Sequence, residues 1–171
     1  MSHKEEGMEN FDFVKILEQY KNVIFKICNT FCYDTCNRKD LEQEIIYQIY
    51  KSLKKFKGEA KLSTWIYKVA LNTAISFSRE EDKHTNNRID INHLIIAYPE
   101  SDYDTETDKN IEKLFQYIND LDELDRAIII LYLEKVKYKE IAAIMGITET
   151  NVSTKINRIK NILRKKFTHK T

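Results

Sequence analysis

Seven residues near the C-terminus have the types that read duplex DNA: Glu149, Thr150, Asn151, Ser153, Thr154, Lys155 and Arg158. Short polar side chains suit the base edges of a major groove, and Lys and Arg suit phosphates. At helical spacing they form the outer face of a segment whose Val152 and Ile156 point inward. Tyr138–Met145 precedes them as a second helical segment, followed by Gly146, where a sharp turn is expected at positive φ. That conformation costs other residues about 1–2 kcal/mol. Ala142 is small where the helices would cross, Ile141, Met145 and Ile147 supply contacts, and Thr148 is placed to cap the second helix. This is the layout of a helix-turn-helix. A plain helical hairpin with a glycine cap has the same spacing, but here the outer face is polar and its surroundings are basic.

The overall net charge of +1 hides an asymmetry. From Met1 to Arg88 there are 15 basic and 13 acidic residues, net +2; from Ile89 to Glu134, 3 and 12, net −9; from Lys135 to Thr171, 10 and 2, net +8. A basic C-terminal segment marks a nucleic-acid surface. The histidines His3, His84, His93 and His169 fall in tails and linker and carry no site. Cys28, Cys32 and Cys36 are spaced by four, unlike the pairs of zinc sites, and are expected as reduced, buried small side chains. The sequence holds no nucleophile–base pair, metal cluster or phosphate-cradling loop, so neither cofactor nor metal is expected and the protein is not expected to be an enzyme.

The elements that must position these residues are helical. With 3 Gly and 1 Pro in 171 residues, a many-stranded β fold is disfavoured. Phe13, Leu17, Tyr20, Ile24, Ile27 and Phe31 predict a helix over about 11–31, and Leu41, Ile45, Ile49 and Leu53 one over 37–56 with Asn37 as N-cap. Trp65, Ile66, Val69, Ala70, Thr73 and Phe77 predict a third over 63–83, after a break at Lys57-Gly58-Glu59. Periodicity fails across 85–110, which carries the only proline and the run Glu100 to Asp108 and is expected as an acidic flexible linker. Within it, Leu94 to Tyr98 is an apolar stretch that could dock. It returns at Ile111, Leu114, Phe115 and Ile118, then at Leu124, Ile128 and Leu131 in a helix over 123–134, and ends in the helix-turn-helix, with its last helix over 149–167. The fold class is all-α, two small helical domains (8–84 and 111–170) joined by the linker. No apolar run reaches the roughly 18 residues that span a bilayer, and the polar first residues lack a signal-peptide stretch, so no membrane insertion and a cytoplasmic protein are expected.

Three sets of residues together carry a family resemblance. Asp40-Leu41-Glu42-Gln43-Glu44 resembles the opening of region 2.2 of sigma-70 factors. Phe56, then Leu62 through Ala74 (LSTWIYKVALNTA), resembles region 2.3. Glu140-Ile141-Ala142, Gly146-Ile147 and Val152 with Lys155 to Arg158 resemble region 4.2. They occur in family order and spacing, and with no room for regions 1.1 or 3 the chain resembles the extracytoplasmic-function (ECF) subfamily. Ile66, Val69 and Lys68 stand where Leu, Ile and Arg are usual, and Asn151 where Gly is frequent.

The resemblance implies a bacterial sigma factor that joins core RNA polymerase, recognises the −10 and −35 promoter elements and assists promoter melting. The two domains are then a region 2 helical bundle and a region 4 helix-turn-helix bundle. Asp40, Gln43 and Glu44 would face the clamp helices of the largest polymerase subunit. Asn72 would line a pocket for an unstacked base, with Lys57, Lys61, Trp65, Lys68 and Arg79 beside the −10 strand, Trp65 chiefly as a core anchor. Glu149 to Arg158 would read the −35 duplex. Promoter DNA, core polymerase and an anti-sigma factor are the implied partners. A dimeric regulator would instead bind DNA without polymerase, a small nuclease would need a carboxylate or His constellation, and a polymerase-binding decoy would lack promoter recognition.

Overall fold

The computed structural model describes residues 12–32, 35–84 and 105–168. Among these residues there are seven helices and no strand: α1 (Phe13–Phe31), α2 (Thr35–Leu53), α3 (Leu62–His84), α4 (Thr105–Asn119), α5 (Glu123–Leu133), α6 (Tyr138–Met145) and α7 (Glu149–Thr168). No helix among them is long and apolar enough to cross a membrane.

Helices α1, α2 and α3 form a bundle around Ile24, Ile27, Leu41, Ile45, Ile49, Ile66 and Leu71, all buried. Each fully buried side chain of this size contributes about 1.5–3 kcal/mol. Asp12 caps α1 by accepting from the Lys15 amide. Helix α2 begins at Thr35, so Asn37 lies inside its first turn and is not its N-cap, and α2 ends at Leu53, earlier than expected, before Gly58 turns at φ 72°.

The remaining helices form a second bundle with α5 at its centre. Every side chain from Asp125 to Leu131 is buried, because α5 is walled by α1, α4, α6 and α7. Leu124, expected inside, is exposed, since the open edge of α5 falls at its first turn. Asp122 caps α5 through the Asp125 amide at 2.8 Å. The helix closes with the Val136 amide donating to the Leu131 carbonyl and that of Lys135 to Tyr132, which places Lys135 at φ 59°.

Helix α4 starts at Thr105, so the last six positions expected as linker are helical; the rest of the linker, with Leu94 to Tyr98, lies outside the described residues. The two bundles pack directly against one another. Helix α1 meets α4 and α5, and α3 meets α6. A helix covered on two sides buries more than one stripe, so α1 hides Ile16 and Val23 as well as Ile24, Ile27 and Phe31. Cys28 and Cys32 are buried as expected, and burial pushes the Cys28 thiol up to about 12; the side chain of Cys36 lies outside the described residues.

Candidate DNA and polymerase interfaces

The helix-turn-helix forms as its sequence dictates. Gly146 turns at φ 68°, and the Ile147 amide donates to the Ala142 carbonyl at 3.1 Å. Thr148 Oγ1 accepts from the Asn151 amide at 3.2 Å, capping α7. Val152, Ile156, Ile159 and Leu163 anchor α7 inward. Glu149, Thr150, Asn151 and Thr154 stand exposed on its outer face, with Ser153 half-buried beside them.

Lys155 and Arg158 are held differently from their neighbours. Lys155 Nζ lies 2.9 Å from Oδ1 of Asp125, and Arg158 pairs with the other oxygen of the same carboxylate. Asp125 is 2% exposed, so the two cations neutralise a buried charge across α5 and α7. The sequence reading missed Asp125, and nothing local signals a partner 30 residues away. Asn157 and Asn161 are also exposed, at helical steps of three and four beyond Thr154. Arg164 and Lys165 continue this exposed face.

In the first bundle, Trp65, Lys68, Asn72 and Arg79 recur at three, four and seven residues, which puts them on one side of α3, with Lys61 entering it. Lys57, Lys61, Lys68, Asn72 and Arg79 are exposed. Trp65 is partly buried, its ring 5.2 Å from that of Phe56, as an anchor for the loop before α3. Asp40 and Gln43 are exposed on α2, and Glu44, half-buried, accepts from Gln48 at 2.7 Å. An open groove between α2 and α3 brings Asn72 together with Asp40, Glu44, Ser76, Phe77 and Glu80. Asn72, expected to line the base pocket, and Asp40 and Glu44, expected to face polymerase, thus share one groove, a juxtaposition that the sequence did not foretell.

Two of the cations expected beside the −10 strand, Lys61 and Arg79, already have partners. Arg79 Nε donates to Glu123 at 2.8 Å, and Lys61 donates to Glu140, whose carboxyl it holds below its ordinary value. Both acceptors lie on the second bundle. Among the described residues no group of three or more His, Cys, Asp or Glu is arranged to hold a metal ion.

Comparison with known proteins matches residues 16–84 to the family described as Sigma-70 region 2, and residues 111–163 to Sigma-70, region 4. The chain is 28% identical over 143 residues to the ECF RNA polymerase sigma-E factor of Haemophilus influenzae, covering 75% of this chain and 73% of that one. It is 27% identical over 133 residues to the RNA polymerase sigma factor YlaC of Bacillus subtilis, covering 76% and 77%. Its fold resembles the sigma factor RpoE of Bartonella quintana, solved with the anti-sigma factor NepR, at a TM-score of 0.75 and 18% identity over 94% of this chain and 99% of that one. It also resembles CnrH, solved with the cytosolic domain of CnrY, at 0.68 and 15% identity, covering 93% and 89%.

Proposed function

The chain belongs to the sigma-70 family, in its ECF subfamily, and from that membership we propose how its parts divide the task. It is a non-enzymatic initiation factor that associates with core RNA polymerase and directs promoter-specific transcription. The first domain, 8–84, captures the −10 element as an opened strand: Asn72 binds an unstacked base, and Lys57, Lys61, Lys68 and Arg79 take phosphates. Trp65 fixes the loop that delivers the strand. Asp40, Gln43 and Glu44 dock on the clamp helices of the largest polymerase subunit. The second domain reads the −35 duplex with Glu149, Thr150, Asn151, Ser153 and Thr154, while Lys155 and Arg158 brace that helix and offer phosphates their open edges.

The observation that carries this reading is the shared face of α3. Phosphates need cations and a flipped base needs a polar edge beside an apolar wall. Trp65, Lys68, Asn72 and Arg79 on one side of α3, with Lys61 just before it, supply all three. We place the protein in the bacterial cytoplasm, where polymerase and promoter DNA are. An anti-sigma factor is the third partner we propose, supported by the solved complex of the similar RpoE with NepR.

Reconstituted transcription tests the reading. Core polymerase, this protein and a promoter library should yield new start sites preceded by two shared elements. Absence of protein-dependent transcripts, together with duplex binding in the absence of polymerase, would instead indicate a conventional regulator.

A further inference from the structure

Among the described residues, three ion pairs cross between the domains, and all have the same polarity. Lys26, Lys61 and Arg79 come from the first domain; Glu134, Glu140 and Glu123 come from the second. At the centre, Arg126 reaches from α5 onto the C-terminal end of α1. Its Nη1 donates to the Thr30 carbonyl at 3.4 Å, and its guanidinium lies 5.2 Å from the centre of the Phe31 ring. The last carbonyls of a helix have no partner within it and form the negative end of its dipole, so a buried cation fits there. Tyr67 of α3 is covered at the same contact. Burial, with the negative charge of Glu134 adding to it, pushes its phenol up to about 12.

Two of these three cations are the ones assigned above to DNA phosphates. A carboxylate and a phosphate are both anionic acceptors for the same donors, and neither Lys61 nor Arg79 can serve both fully. We propose that Glu123 and Glu140 form an internal phosphate mimic, a surface of the second domain whose partner is the −10 face of the first. The free chain then masks its own strand-binding cations, and DNA must displace the second domain to reach them. The inference rests on the reading that Lys61 and Arg79 face DNA. Lys61 and Arg79 are 69% and 57% exposed, and exposed pairs are weak and screened by salt, so the closure is reversible.

The test uses the full chain. Glu123→Gln with Glu140→Gln keeps size and removes the mimic; Glu18→Gln with Glu112→Gln, on exposed faces away from these pairs, matches its net charge. The probe is a short fluorescent single-stranded oligonucleotide of mixed sequence at low salt. The mimic variant should bind about tenfold more tightly than the charge-matched control, and its radius of gyration by X-ray scattering should exceed that of the wild type. Equal affinity of the two variants would overturn the competition, and an unchanged radius would overturn the closure. Adding Lys61→Ala and Arg79→Ala separates this inference from the reading beneath it: an enlarged radius whose gain in affinity survives both changes retires the DNA assignment, whereas a gain abolished by them supports both.

Discussion

Asp125 Oδ1 lies 2.9 Å from Lys155 Nζ, and its other oxygen meets Arg158, so one buried carboxylate on α5 holds the middle of α7. The relationship alters what a mutation of those cations measures. Lys155→Met with Arg158→Met strands a carboxylate that is 2% exposed, and loss of the partner of a buried charge costs about 3–5 kcal/mol. Denaturant unfolding of the second domain should shift by an amount of that order. A loss below about 1 kcal/mol would show that water reaches Asp125 after all. Asp125→Asn releases both cations instead. If they also serve phosphates, duplex binding in Asp125→Asn should show a steeper salt dependence than in the wild type.

Lys135 holds φ 59°, left-handed backbone that a side chain makes costly, at the position where a helix end of this type favours glycine. Its side chain is exposed, and its amide bond to Tyr132 survives any substitution except proline. Lys135→Gly should therefore stabilise the second domain by about 1 kcal/mol, read as a higher denaturant midpoint with an unchanged slope. A lower midpoint would mean that the flexibility glycine gives the unfolded chain outweighs the relief of strain.

Tyr67 titrates near 12 because it is partly buried, with the charges of Glu134, Tyr20 and Glu140 acting on it. The folded protein therefore keeps the phenol proton that the unfolded chain gives up near 10. The resulting contribution to stability is complete below about pH 10 and falls away as pH rises toward 12. Ultraviolet titration should show a late-ionising tyrosine that disappears in Tyr67→Phe. In Glu134→Gln with Glu140→Gln that ionisation should move toward the ordinary value. A late component that persists in Tyr67→Phe would assign it elsewhere, with Tyr20 next, since its phenol is also raised by burial.

The helices were legible because their signals are local. Gly146, Thr148 and the stripe Val152, Ile156 fix the helix-turn-helix within about 20 residues, and the structure places Gly146 and the Thr148 cap as read. Contacts made between domains left no such trace. Ile16 and Val23 of α1 fall outside the single stripe because a second bundle covers them, and Leu124 of α5 fits the period yet faces solvent. Only part of the acidic excess over 89–134 falls in the expected linker, 85–110, and nothing in the sequence shows that Glu123 and Glu134 pair with cations of the first domain. Charge composition reports sign, not the address of the partner. Asp125 was invisible for the same reason, with its cations 30 and 33 residues away.

Asn72 shares its groove with Asp40 and Glu44, so promoter opening and polymerase docking are assigned to neighbouring walls of one feature. The two roles remain separable, because Asn72 is an exposed side chain of α3 and Gln43 an exposed side chain of α2, outside the lining of the groove. Asn72→Ala removes a donor and an acceptor for a base edge and leaves the buried positions Ile66, Ala70 and Leu71 untouched. It should leave co-purification with core polymerase within about twofold of the wild type and reduce open-complex formation about tenfold or more, the range expected when a hydrogen-bonded base contact is lost. Gln43→Ala with Glu44→Ala should do the reverse, weakening association while complexes that do form still open DNA. Permanganate footprinting at saturating and limiting polymerase distinguishes the two outcomes. Equal loss of association and opening in Asn72→Ala would move Asn72 from the base pocket to the polymerase face, whose Asp40 and Glu44 line the same groove.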